Sequence, residues 1–187
     1  MRTALVTSLL LSLLATSPAL AQGKLRHDDF WFGAGLGVGW GDYGNDRSDT
    51  RTGVAGHVRA GGTIFPNLLV GGESNGYWGS DEGANYYWGS LMATASWYPA
   101  RDLPFFLKGG AGYLYTFASE GGADLGSSGH FAFQAGLGWD IQLGDNTAAT
   151  LVANWIQTLQ GNLEVDGRFL GQVTPQLIQL GVGFSLY

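Results

Sequence analysis

The chain has 187 residues, of which 32 are glycine and none cysteine, and its 9 Lys and Arg against 15 Asp and Glu give a net charge of −6. An acidic chain with no basic run is a poor partner for nucleic acid phosphates, and the lack of cysteine removes disulfides, thiolate metal ligands and thiol nucleophiles together. Ten Phe, eight Tyr and seven Trp are too much apolar surface for a glycine-rich disordered linker.

Residues 1–21, MRTALVTSLLLSLLATSPALA, carry a cation, a Leu-rich run and a small-x-small ending, so they read as a secretory signal peptide. The apolar run is shorter than the roughly 20 residues of a membrane-spanning helix. Residues 22–29 follow as a short N-terminal segment, and 30–187 as one domain.

The first patterned stretch is FWFGAGLGVGWG, residues 30 to 41. A dinucleotide loop needs glycines at relative positions 1, 3 and 6; counted from Gly33 the sixth position is Val38, and counted from Gly35 it is Trp40. The match fails, whereas period two succeeds: Phe30, Phe32, Ala34, Leu36, Val38 and Trp40 share one face of a strand, and Trp31 shares the other with glycines. The same alternation recurs near 52 to 65, 68 to 78, 86 to 98, 105 to 117, 130 to 143, 147 to 157 and 174 to 187, giving eight expected strands. Segment three, LLVGGESNGYW, alternates least.

Connectors alternate too. Pro66-Asn67, Pro99 to Pro104 and Gly144 to Asn146 are short and rich in turn residues. The stretches near 42–51, 79–85, 118–129 and 158–173 are longer, polar, and expected to be loops. All short turns then fall at one end and all long loops at the other.

A soluble β-sandwich also alternates, but here the apolar rows run uninterrupted while the opposite faces are Gly, Ser, Thr, Gln and Asn with few charges. Aromatic residues gather at strand ends: Phe30, Trp97, Phe105 and Tyr187 toward the short turns, and Trp40, Tyr77, Trp78, Tyr86, Tyr87, Tyr115 and Phe131 toward the long loops. Two such girdles belong to a transmembrane barrel, the form in which strands can cross a bilayer with every backbone group paired. The expected fold is all-β, an eight-stranded antiparallel up-and-down transmembrane β-barrel. Phe32, Leu36, Val38, Phe133, Leu137, Val182 and Phe184 are expected to face lipid. Leu36→Asp should then hinder insertion, and Gly37→Ser should be tolerated or cause only packing strain.

The signal peptide, the aromatic-glycine first strand, FFLKGGAGYLY, FQAGLGWDI and the closing QLIQLGVGFSLY resemble the small outer-membrane β-barrel families, the OmpA transmembrane domain, OmpX and OmpW group, along 28 to 187. The resemblance implies export to the outer membrane of a Gram-negative cell envelope. It also implies contact with outer-membrane lipid and lipopolysaccharide, and insertion by the barrel-assembly machinery. One departure concerns the end of the chain: Tyr187 is aromatic and terminal, yet the apolar row from Ile178 to Leu186 has the opposite parity, which leaves the register of the last strand open.

The charges on inward faces are His57, Arg59, Glu73, Lys108 and Asp140. Pairing about Pro66-Asn67 brings Arg59 opposite Glu73 or within one pair of it, and pairing of segments five and six sets Lys108 across from Gly138 or Asp140. Buried charges persist when paired, so a lumen charge network is expected, without cofactor or metal. The acidic loop residues Asp42, Asp46, Asp49, Asp81, Glu82, Glu120, Asp124, Glu164 and Asp166 could bind divalent cations, but no D-x-[DN]-x-[DN]-G spacing occurs, so solvated loops are expected. The lipid A deacylase His-x-Ser pair is absent after His27, His57 and His130. The chain is too short for an omptin-like protease and lacks the leading helix of the palmitoyltransferase family. The expected function is structural or a matter of surface interaction, by a monomer that is not an enzyme. The alternative is an OmpW-like conduit for small hydrophobic molecules, resting on lumen-facing Met92 and Leu114; a lipid-modifying enzyme ranks lower.

Overall fold

The computed structural model describes residues 30–42, 44, 50–81, 84–100, 103–121, 123–165 and 168–187, with backbone alone at 120, 123–126, 161–165 and 168–170. The expected signal peptide and the segment 22–29 lie outside the described residues. Among the described residues ten strands form: β1 Phe30–Asp42, β2 Arg51–Phe65, β3 Leu68–Asp81, β4 Ala84–Trp97, β5 Phe105–Glu120, β6 Ala123–Gly144, β7 Thr147–Thr158, β8 Gly161–Val165, β9 Arg168–Val173 and β10 Gln176–Leu186.

Each strand from β1 to β7 pairs antiparallel with the next, and β10 pairs with both β7 and β1. Eight strands therefore close a barrel with no free edge. Following paired residues once around the wall from Phe32 leads through Ala60, Gly72, Ala93, Ala111, Phe133, Gln157 and Gln176 to Asp42. The circuit thus climbs 42 − 32 = 10 residues along β1. With a rise of about 3.3 Å per residue and strands about 4.8 Å apart, that climb sets a tilt of about 40° and a radius of about 8 Å. A barrel so narrow has room inside for side chains and little else.

The short-turn end is sewn together by backbone bonds between neighbouring turns. Tyr98 N donates to Asn67 O at 2.9 Å, Asp140 N to Pro104 O at 2.8 Å, and Tyr187 N to Asn146 O at 2.9 Å. At the other end three expected loops are largely strand. β3 and β4 pair out to Asp81 and Ala84, and β5 and β6 out to Glu120 and Ala123, where Gly121 takes a left-handed φ of 58° in the tight turn. The stretch 158–173 holds the β8–β9 hairpin, which joins the upper part of β6 through Ser127 and Glu164. These extensions are rich in Gly, Ser, Asp, Glu and Asn, so no continuous apolar row marks them as strand.

Inside, two apolar clusters bracket a polar layer. Trp31, Leu69, Tyr98, Phe106, Ala148 and Tyr187 pack at the short-turn end, and Tyr77, Trp88, Met92, Leu114, Ala132, Ile156 and Leu177 toward the long-loop end. Tyr77 and Tyr187 are therefore not girdle residues: their strand parity aims them into the lumen, where both are buried. Trp78, Tyr87, Trp97, Tyr115 and Phe131 are exposed on the outer wall.

Candidate functional site

The inner glycines of β1 are explained by what lies across them. A Cβ on Gly33 would meet the Arg59 side chain, on Gly39 the ring of Tyr77, and on Gly41 the ring of Trp88. Side chains from β2, β3 and β4 thus fill the space that β1 leaves. Gly37 differs: its Cβ would strike the backbone carbonyl of Leu180 on β10. Gly37→Ser is consequently a costly change rather than a tolerated one, because backbone cannot swing aside as a side-chain tip can.

In the polar layer Glu73 is the hub. Lys108 Nζ lies 2.5 Å from its Oε2, with both side chains fully buried, and Gln134 Nε2 donates to Oε1 at 2.7 Å. Asn154 Nδ2 adds a longer contact of 3.3 Å. Arg59 does stand opposite Glu73 in the ladder, but its hydrogen bond goes elsewhere, from Nη2 to Ser185 Oγ at 2.9 Å. Lys108 lies opposite Gly136, not Gly138 or Asp140. Glu120 pairs with Ala123, so the strands β5 and β6 meet ahead of the middle of the expected loop, and this displaces the register.

Arg59 reaches Asp140 through two hydroxyls. Ser185 Oγ accepts from Arg59 and lies 2.8 Å from Thr150 Oγ1, which donates to Asp140 Oδ1 at 2.6 Å. The phenols of Tyr98 and Tyr187 each lie 2.7 Å from Asp140 Oδ2. The Arg59 guanidinium also rests between rings, its Cζ 5.0 Å from the centroid of Phe106 and 5.6 Å from that of Trp31, so its charge is met by π faces as well as by hydroxyls. Glu73 and Asp140 balance Lys108 and Arg59 without a net charge, as a low-dielectric interior requires. His57 lies buried beside this layer.

The uncharged partners Ser185, Thr150, Gln134, Asn154, Tyr98 and Tyr187 were missed in the sequence, although their inward parity was there to be read. Of the acidic residues described, Asp42 Oδ1 accepts from Gly44 N at 2.7 Å and Asp81 pairs with Arg51 at 3.4 Å. The side chains of Asp46, Asp49, Glu82, Glu120, Asp124, Glu164 and Asp166 lie outside the description. Among the described residues no histidine is hydrogen-bonded to a hydroxyl, and both ring nitrogens of buried His130 lack a partner.

On the outer wall Phe32, Leu36, Val38, Phe133, Leu137, Val182 and Phe184 are all exposed. An apolar exterior around a filled polar interior is the reverse of a water-soluble design. With every wall strand paired on both sides, these features define a β-barrel of the outer-membrane type. The chain belongs to the outer membrane protein beta-barrel domain family, which it matches over residues 7–185. Its fold is similar to that of Neisserial surface protein A, with a TM-score of 0.65 at 16% identity, covering 84% of this chain and 96% of that one. It is also similar to Ail, the attachment invasion locus protein of Yersinia pestis, with a TM-score of 0.60 at 15% identity, covering 85% and 99%. No curated protein sequence matches the chain.

Proposed function

We propose that this is an integral outer-membrane protein with a closed lumen, serving the membrane structurally and acting through the surfaces it presents beyond it. The observation that carries this reading is the fully buried Glu73–Lys108 pair enclosed between two apolar layers, which leaves a solute no hydrated path. The strand extensions at 79–85 and 118–129 and the β8–β9 hairpin supply the exposed surface at the long-loop end. The outer girdles would meet lipid, and the aromatic row Trp78, Tyr87 and Phe117, with successive centroids 6.3 and 6.4 Å apart, would lie at the lipopolysaccharide level. Insertion by the barrel-assembly machinery as a monomer completes the proposal.

The conduit alternative rested on Met92 and Leu114. Both are buried in the upper apolar cluster, and no other observation favours it. The test is to fold the purified protein into vesicles, verify the barrel by heat-modifiable migration on gels, and record planar-bilayer currents. Silence is expected, and stepwise conductance from correctly folded protein would overturn the closed-lumen reading.

A further inference from the structure

The outer wall is not uniform. On β6 and β7 its outward row carries Phe133, Leu137, Trp139, Leu151 and Trp155, all exposed. Across β10, β1, β2 and β3 the wall is indented by a groove of about 760 Å³, whose lining includes Ala34, Gly56, Ser74 and Gly76 between Leu36 and Phe184. The fold itself does not demand all of these small residues. A Cβ on Gly76 would meet nothing within 4 Å, and its backbone is not in the left-handed region. Gly76 thus leaves open, on the outward face of β3, space that a larger side chain would occupy.

We propose that this groove holds one acyl chain of a membrane phospholipid. The inference rests on the membrane-spanning reading above and adds a specific lipid site to it. Leu36 lies midway along β1 between Phe30 and Trp40, which places the groove within the hydrocarbon band and continuous with the lipid-facing surface. A methylene takes about the volume of a water molecule, roughly 30 Å³, so a chain of about sixteen carbons fits with space to spare. Filling the indentation also removes a void that bulk lipid packs poorly. The lining contains no Lys or Arg, and its one titratable side chain is His57, which is buried. Recognition is therefore of the chain and not of phosphate, which favours a phospholipid over lipid A with its phosphate pair.

The experiment uses the folded wild type, Gly76→Leu and Gly109→Leu in vesicles of dipalmitoyl phosphatidylethanolamine with added lipid A. Gly109 on β5 is a control: it is exposed, a Cβ there makes only an ordinary contact at 4.0 Å, and it does not line the groove. Heat-modifiable migration is read first, since failure of all three to fold and insert would count against the barrel reading rather than the groove. Native mass spectrometry after detergent release is expected to show one retained phospholipid on the wild type and on Gly109→Leu, and about tenfold less or lower on Gly76→Leu. Equal retention by all three, retention of lipid A instead, or lipid-free pairs of barrels would overturn the proposal.

Discussion

At the scale of single residues the lumen is held by charges whose partners come from strands that are not neighbours. Lys108 on β5 reaches across β4 to Glu73 on β3, and Arg59 on β2 reaches β10 through Ser185. Lys108→Met would leave a buried carboxylate with only amide donors. It is expected to lower unfolding stability by about 3–5 kcal/mol, while adding Glu73→Gln should recover much of that loss; urea titrations of vesicle-folded protein would read both. A double variant as unstable as the sum of its single variants would show that the two side chains do not act as a pair. Gly37→Ser and Gly76→Ser form a second contrast. The first meets the Leu180 carbonyl and should lower the urea midpoint, whereas the second, facing open space, should leave it nearly unchanged. The five lumen charges were legible from parity alone. Their pairing was not, because ladder register predicts adjacent contacts and long side chains in a narrow barrel cross it.

The alternation that reveals a strand exists only where its two faces meet different surroundings. Between the girdles every wall strand reads clearly, and even the weakly patterned LLVGGESNGYW forms the full strand β3. Beyond the girdles β5 and β6 continue through Ala118 to Glu120 and Ala123 to Gly129 in sequence that reads as loop. The β8–β9 hairpin was hidden for the same reason. It lies outside the closing ladder, since β10 already pairs with β7 from Gln176 opposite Gln157 to Leu186 opposite Thr147. Replacing residues 160–174 by Asn-Gly is therefore expected to leave a folded barrel with heat-modifiable migration. Loss of that migration would mean that the hairpin is part of the closing structure. The parity of Tyr187 is resolved at this scale as well: the exposed outward row ends at Leu186, and Tyr187 turns inward to the Asp140 cluster.

For the molecule as a whole, the ten-residue climb around the wall is even, so the division into inside and outside survives a full circuit and all eight strands agree on it. On the proposed closed-lumen reading, three stacked layers rather than one gate close the barrel to solutes. Glu73→Gln with Lys108→Met removes the ionic pair but leaves the aromatic layer around Phe106 and Tyr98 below it and the layer around Trp88 and Leu114 above it. Planar-bilayer recordings of that double variant should remain silent. Channel opening in the variant would assign the closure to the ionic layer alone. The acidic balance of the chain, visible from composition, carries no information about this closure, because the lumen is neutral by itself.

The glycine face of β1 bears finally on the order of events during folding. β1 and β10 come from opposite ends of the chain, so their seam is the contact of greatest sequence separation and the slowest to form. From Gly33 to Gly41 the incoming strand brings no inner side chain that must be threaded past Arg59, Tyr77 and Trp88 once these have packed. A nearly bare edge of this kind can be zipped against an interior that is already assembled.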